Sequence, residues 1–291
     1  METKSISHTP RLIALALLVL VLAFLCTGCT TWYNSSRHEA NSVVQFLYPD
    51  QGQPFIQPQI PTLRLPLRVG VAFVPPAPAK GQAWRPVALI SETQKTILLR
   101  RVAAEFKALP FVQSIEIVPT TYLRPGGGFD NLDQLRGLMG IDVVALVSYD
   151  QAQNTSDTPW SLSYWTIVGA YFVPAQRNDT HTLMEAVIYD IPSRSLLFRA
   201  PGVSMVNGHS TPIRTDAELR ADSARSLDEA AKDLTVNLQQ ELELFKVRAK
   251  EEPQSIHLEH KPGFSLAGAI DGWFVLGLAL LATGGLIHSR K

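Results

Sequence analysis

Hydrophobic and polar positions divide the chain into three parts. One apolar run covers Leu12 to Cys26, and a second covers Phe264 to Ile287 with only Asp271 breaking it. Between them, apolar residues recur at helix and strand spacings instead of in continuous blocks. Leu67 to Val74 is a β-rich run closed by Pro75, Pro76 and Pro78, and it predicts a strand. Leu98, Val102, Phe106 and Leu109 form a helical stripe that Pro110 ends. Ser91-Glu92-Thr93-Gln94 supplies the capping box for that helix, since Ser91 and Gln94 can satisfy free backbone donors reciprocally.

Ser114 to Val118 predicts the next strand. A turn through Pro125, Gly126, Gly127 and Gly128 leads to Asp130, the predicted N-cap of a helix over Asn131 to Met139, with Gly140 as its stop. Asp142 to Tyr149 alternates as a third strand. Thr182 to Tyr189 and Ser195 to Val206 predict a hairpin around Ile191-Pro192-Ser193-Arg194. Thr215-Asp216-Ala217-Glu218 reads as a second capping box. It opens a long helix in which Leu227, Ala231, Leu234, Leu238, Leu242 and Phe245 share one face, as far as Arg248. The order β-α-β-α-β-β-β-α predicts an α+β or α/β domain, with helices packed on a mixed sheet. That order resembles the periplasmic domains of TolB and of CsgG-like lipoproteins, a likeness of fold that carries no activity.

The two apolar ends read as membrane signals. Lys4 and Arg11 precede the first run, and Thr27-Gly28 follows it, which makes an export signal. The run is shorter than the roughly 20 residues of a comfortable bilayer span. Leu25-Cys26-Thr27-Gly28-Cys29 resembles the lipobox of bacterial lipoproteins. The resemblance implies cleavage between Gly28 and Cys29 by lipoprotein signal peptidase, with lipid on the Cys29 thiol; two or three acyl chains would anchor firmly where one would not. An ordinary cleaved secretory signal is the alternative. By the same resemblance, Thr30 directs the protein to the outer membrane.

At the other end, Gly272 to Ile287 is long enough to span most of a hydrocarbon core, and predicts a C-terminal transmembrane helix. Arg290 and Lys291 would stay cytoplasmic, so everything between the two apolar ends faces the periplasm. Anchors in two membranes conflict, and a cut before the helix resolves that conflict. Ala267, Gly268 and Ala269 are the candidate processing region, small and easily unwound. If the tail is retained, the inner membrane is the expected location.

Ser42-Val43-Val44-Gln45-Phe46-Leu47-Tyr48-Pro49 and Arg68-Val69-Gly70-Val71-Ala72-Phe73-Val74-Pro75 resemble the rhombotarget lipoproteins. That family is named for a C-terminal tail processed by a rhomboid-type protease, rhombosortase. The resemblance implies a membrane-bound lipoprotein with no established biochemical activity.

The expected organisation is a signal peptide over 1–28, a proline-rich tether over 29–66 and a periplasmic domain over 67–250. A polar spacer over 251–263 and the tail over 264–291 complete the chain. Within the tether, Val43 to Tyr48 predicts a short docked helix.

Composition narrows the function. With 26 Lys and Arg against 26 Asp and Glu, no long-range field favours nucleic acid, and no basic run supplies a local one. Cys26 and Cys29 are the only cysteines, so the domain has no disulfide. Gly126 to Gly128 lack the Lys-Ser/Thr ending of a phosphate loop, and no other cofactor motif is present. His257-Leu258-Glu259-His260 has metal-like spacing but no further ligand cluster, and reads as solvated linker. Asp142, Asp150, Asp179 and Asp190 fall at strand ends.

Trp160, Tyr164, Trp165, Ile167, Tyr171 and Phe172 crowd a segment without charge. It is either a hydrophobic cover for the sheet or a surface for membrane or an envelope protein partner. The function expected is that of a non-catalytic binding or assembly module. The alternative is a periplasmic enzyme whose site assembles only in the fold.

Overall fold

A computed structural model describes residues 34–49, 59–76, 90–165 and 171–261. A mixed sheet with helices on both faces forms the body, as the alternation of periods implies. Strand β1 (Asn34–Ala40) and helix α1 (Val43–Leu47) come first, then β2 (Thr62–Leu65) and β3 (Leu67–Phe73). Helix α2 (Glu92–Lys107), β4 (Val112–Ile117) and α3 (Gly128–Met139) follow. A meander of β5 (Val143–Asp157), β6 (Gln176–Asp190) and β7 (Ser195–Ser210) leads into α4 (Thr215–Glu251), and β8 (His257–His260) closes the described chain.

The main sheet runs β4-β3-β5-β6-β7, parallel among β4, β3 and β5 and antiparallel beyond. β5 is long enough to hold two partners on one edge. Val143 to Val147 pair with β3, and Asp150 to Ser156 pair with β1 running the other way. Asn41 fills the gap where β3 and β1 meet end to end. Its side-chain amide donates to the Val74 carbonyl at 2.6 Å, and its carbonyl oxygen accepts from Tyr149 N–H at 2.6 Å. Its own N–H donates to the Tyr149 carbonyl at 3.0 Å. One asparagine thereby continues the ladder across a break in the sheet edge.

Each face has its own apolar core. On one, α1 and α3 cover Ala72, Val74, Val144 and Leu146, with Phe46, Leu132 and Ile141 among the most buried partners. On the other, α2 and α4 cover Phe73, Val143, Val147 and Met184, and Leu234 of α4 is fully buried there. α4 lies close on β7: a Cβ added at Gly202 would stand 2.3 Å from the Ala230 carbonyl oxygen and 2.6 Å from the Leu234 Cβ.

Beyond Tyr149 the same face turns polar. Gln151, Gln153 and Thr155 of β5 stand opposite Thr182, Thr180 and Asn178 of β6, all buried under the first turns of α4. The Gln151 amide donates to Thr182 Oγ1 at 2.8 Å, and Ser223 Oγ of α4 donates to the Gln151 carbonyl at 2.6 Å. The Gln153 amide donates to the Leu219 carbonyl at 2.8 Å. Satisfied bonds make such a layer tolerable. Asn178 Oδ1 and Asp222 Oδ2 are exceptions, and Asp222 is the ionisable one. It is 4% exposed, rests on Gly208, and its Oδ2 has no hydrogen-bond partner.

Burial raises the Asp222 carboxyl pKa, only partly offset by Arg225 at 3.6 Å. A raised pKa means that this group's contribution to stability is fully present below its unfolded pKa and is lost as pH climbs through the folded one. Asp222→Asn should therefore raise Tm at about pH 7 and change it little near pH 4, where aspartate begins to protonate even in the unfolded chain. Paired thermal melts at the two pH values check this; an equal gain at both would contradict it.

Several expectations change. The tether over 29–66 contains β1, α1 and β2, all packed on the domain, and the short helix is present as expected. The spacer contains β8, which pairs in parallel with β2. The helix read from Asp130 starts at Gly128 with Gly127 as its N-cap, so Asp130 lies in the first turn and complements the helix dipole there. The second capping box does not form. The N-cap is Arg214 without a side-chain bond, and Thr215 Oγ1 is spent on the Thr211 carbonyl at 2.9 Å and on Gln176. The box over Ser91 to Gln94 forms in full, and Gly140 ends α3 at φ 68°. No helix among the described residues is long and apolar enough to cross a membrane. The tail for which a span is expected lies outside those residues.

Candidate functional site

On the face shared by α2 and α4, a groove of about 380 Å³ opens between the two helices. Arg101 of α2 and Asp228 of α4 form an ion pair between the helices. The groove lies further along both, between Val102, Ala103 and Phe106 on one side and Leu238, Leu242 and Phe245 on the other. Its floor is the sheet, at Val69, Val71, Ala145 and Ile188, and Phe111 and Leu258 stand at its borders. Periodicity explains the composition. These are inward positions of strands and inward faces of helices, so they are apolar, and the strip of sheet between the two helices is left partly uncovered.

The uncovered strip is visible residue by residue. Leu67, Val69, Phe106, Ala145 and Phe198 face this core yet stay only partly buried. An enclosed, empty void of 380 Å³ would cost on the order of 9 kcal/mol at ~24 cal/mol per Å³. That is comparable to the roughly 5–15 kcal/mol by which whole domains are stable. A volume of this size is sustained by being open to a ligand or to solvent. It also falls within the ~300–1,000 Å³ typical of ligand pockets. The charged side chains lining it are Lys246 and Lys250. Lys246 Nζ is 5.1 Å from the centre of the Phe111 ring and 2.6 Å from Glu243 Oε1.

A smaller cleft, about 170 Å³, gathers Arg136, Asp142 and Asp190 at the opposite end of β5 from the β1 pairing. The fold thus brings together two of the four acids expected at strand ends, while Asp150 and Asp179 lie within β5 and β6 because those strands are longer than expected. Burial raises the Asp190 carboxyl pKa, and two bonds from Ser193 work against that shift. Each carboxylate is held by local structure. Asp142 accepts two bonds from Arg68, at 3.0 and 3.1 Å, and Asp190 accepts Ser193 N–H at 3.0 Å in the β6–β7 turn. Asp150 instead pairs with His38 at 2.6 Å and Asp179 with Arg177 at 3.1 Å, both on the distal meander. Among the described residues, no three His, Cys, Asp or Glu side chains form a metal-binding group. His257 and His260 are exposed on β8.

Gly28, Cys29, Ala267, Gly268, Ala269 and Ile167 lie outside the described residues. Trp160, Tyr164 and Trp165 lie in a 3-10 helix over Pro159–Trp165. The Trp160 side chain is 74% exposed, and Tyr171 and Phe172 are 56% and 78% exposed. At these three positions the segment does not cover the sheet.

The groove was not anticipated from sequence. Much of its lining is apolar strand and helix positions that read as plain core, and Leu67, Val69, Phe106, Ala145 and Phe198 stand apart only by their incomplete burial in the fold.

No family model matches the chain, and no curated protein matches it. Two solved structures each match over 68% of it. One is described as a neuraminyllactose-binding hemagglutinin homolog from Helicobacter pylori, at 9% identity and a TM-score of 0.36, with 96% of its own chain covered. The other is a PelC dodecamer from Paraburkholderia phytofirmans, at 9% identity and a TM-score of 0.25, with 99% covered. Likeness at this level assigns neither fold family nor function.

Proposed function

We propose that the chain is an exported lipoprotein, held to a membrane through Cys29, whose domain is a non-catalytic binding module for an elongated apolar ligand. The observation that carries the binding role is the groove between α2 and α4, almost wholly apolar, with Val69 and Ala145 of its floor left only partly buried. Each methylene moved there from water contributes about 0.8 kcal/mol, so about 5–19 of them offset the ~4–15 kcal/mol that association costs, which calls for an extended alkyl chain. The lipobox-like Leu25 to Cys29 supports the anchor, and the tail with Ala267 to Ala269 supports release by a rhomboid-type protease. Cleavage there would leave the acylated protein at the outer membrane, facing the periplasm.

Photolabelling of the full chain in membranes with a long-chain diazirine alcohol tests the binding role. Label is expected in peptides of α2 and α4, and Ala145→Phe, which places a ring on the groove floor, should remove most of it while Tm is unchanged or higher. Equal labelling of native and filled proteins would sink the reading. The anchor has its own test: Cys29→Ala should abolish the lipid mass on the mature N-terminus and release the protein from the outer-membrane fraction.

A further inference from the structure

We infer that the groove takes a fatty acid: one alkyl chain laid between α2 and α4, with its carboxylate at Lys246 and Lys250. This rests on the groove being a ligand site, and it adds the chemical class. Lys246 and Lys250 are one turn apart on α4, and they are the charged groups in a lining otherwise apolar. No carboxylate among the described residues lines the groove to repel an anion. Lys246 is already poised at the border, its ammonium over the Phe111 ring. Its partner Glu243 is largely exposed, at 69%, so an arriving carboxylate competes with a solvated one. Lys261 adds positive charge at the β3–β4 side, where its Nζ donates to the carbonyl of Pro66, between lining residues Leu65 and Leu67, at 3.1 Å and to Gln113, next to lining residue Val112, at 3.2 Å. The volume is at the small end for ligand pockets and suits a single chain better than the two of a phospholipid.

The test uses the full chain in phospholipid vesicles and three diazirine probes of matched chain length: palmitic acid, the corresponding alcohol, and a diacyl phosphatidylglycerol. Palmitic acid should label α2 and α4 most strongly. Lys246→Gln with Lys250→Gln should cut that labelling about fivefold, the upper end for an exposed ion pair, and leave alcohol labelling unchanged. High salt should weaken the acid and not the alcohol. Circular dichroism melts confirm that the double variant is folded. If acid and alcohol label equally and the lysine exchange changes neither, the fatty-acid assignment fails and the apolar binding site stands. If no probe labels the groove, both fail. Preferential labelling by phosphatidylglycerol would overturn the assignment. So would cross-links from the groove to the chain's own 264–287 segment that exclude the acid.

Discussion

Replacing Gly202 with alanine is expected to cost about 3 kcal/mol or more, the upper range for overpacking a tight interface. The added methyl would sit 2.3 Å from the Ala230 carbonyl oxygen, 2.6 Å from the Leu234 Cβ and 2.7 Å from the Leu234 backbone nitrogen. Two of these three atoms are helix backbone, which cannot rotate aside. α4 would have to lift from β7, and Leu234, fully buried beneath it, would lose its packing. Because α4 also forms one wall of the groove, ligand binding should fall along with stability. Gly137→Ala is the control. Its Cβ would meet nothing within 4 Å on the exposed face of α3, and it should stabilise by up to ~1 kcal/mol. Denaturant melts of both variants report the difference. A Gly202→Ala protein as stable as the native one would mean that α4 does not pack as described.

Asn41→Ala should destabilise by roughly 2–5 kcal/mol, because it strands two buried backbone groups at once. Both the Tyr149 N–H and the Val74 carbonyl lose their side-chain partner, each from a bond of 2.6 Å. No water-exposed face is near enough to compensate cheaply, since Val74 is completely buried and Tyr149 nearly so. Asn41→Asp keeps the acceptor and loses the donor. It should also be destabilising, because it sets a carboxylate against the Val74 carbonyl in a buried site. Hydrogen exchange at the Tyr149 amide distinguishes this mechanism from general unfolding. In Asn41→Ala that amide should lose protection before its neighbours in β5 do.

Where the hydrophobic pattern held, elements were legible from sequence. β3, α2, β4 and the apolar half of α4 lie close to the positions their periodicity predicts. The underestimated strand lengths share one physical cause. β5 continues to Asp157, β6 begins at Gln176, and β7 runs to Ser210, each beyond the expected strand. In all three extensions the inward positions carry Gln, Thr, Asn, Ser or Gly, so the alternation persists while its hydrophobic signal vanishes. β1 was missed because it is largely exposed and polar, and its place depends on β5 reaching far enough to pair with it. β8 depends likewise on β2, a partner 195 residues away in sequence at the Arg64–Glu259 pair.

The groove was hidden for a different reason. Whether an inward apolar residue is covered depends on how far apart α2 and α4 lie, and local sequence does not encode that distance. By contrast, the expected lipidation and processing residues rest on short peptide patterns, and the described fold does not include them.

The most direct test of a ligand site in the domain is native mass spectrometry of the full chain, taken from membranes in detergent-free copolymer discs. The folded native protein should carry a noncovalent single-chain lipid that organic solvent releases, and Ala145→Phe should carry none. A native protein with no such adduct, or the same adduct on the filled variant, would contradict it.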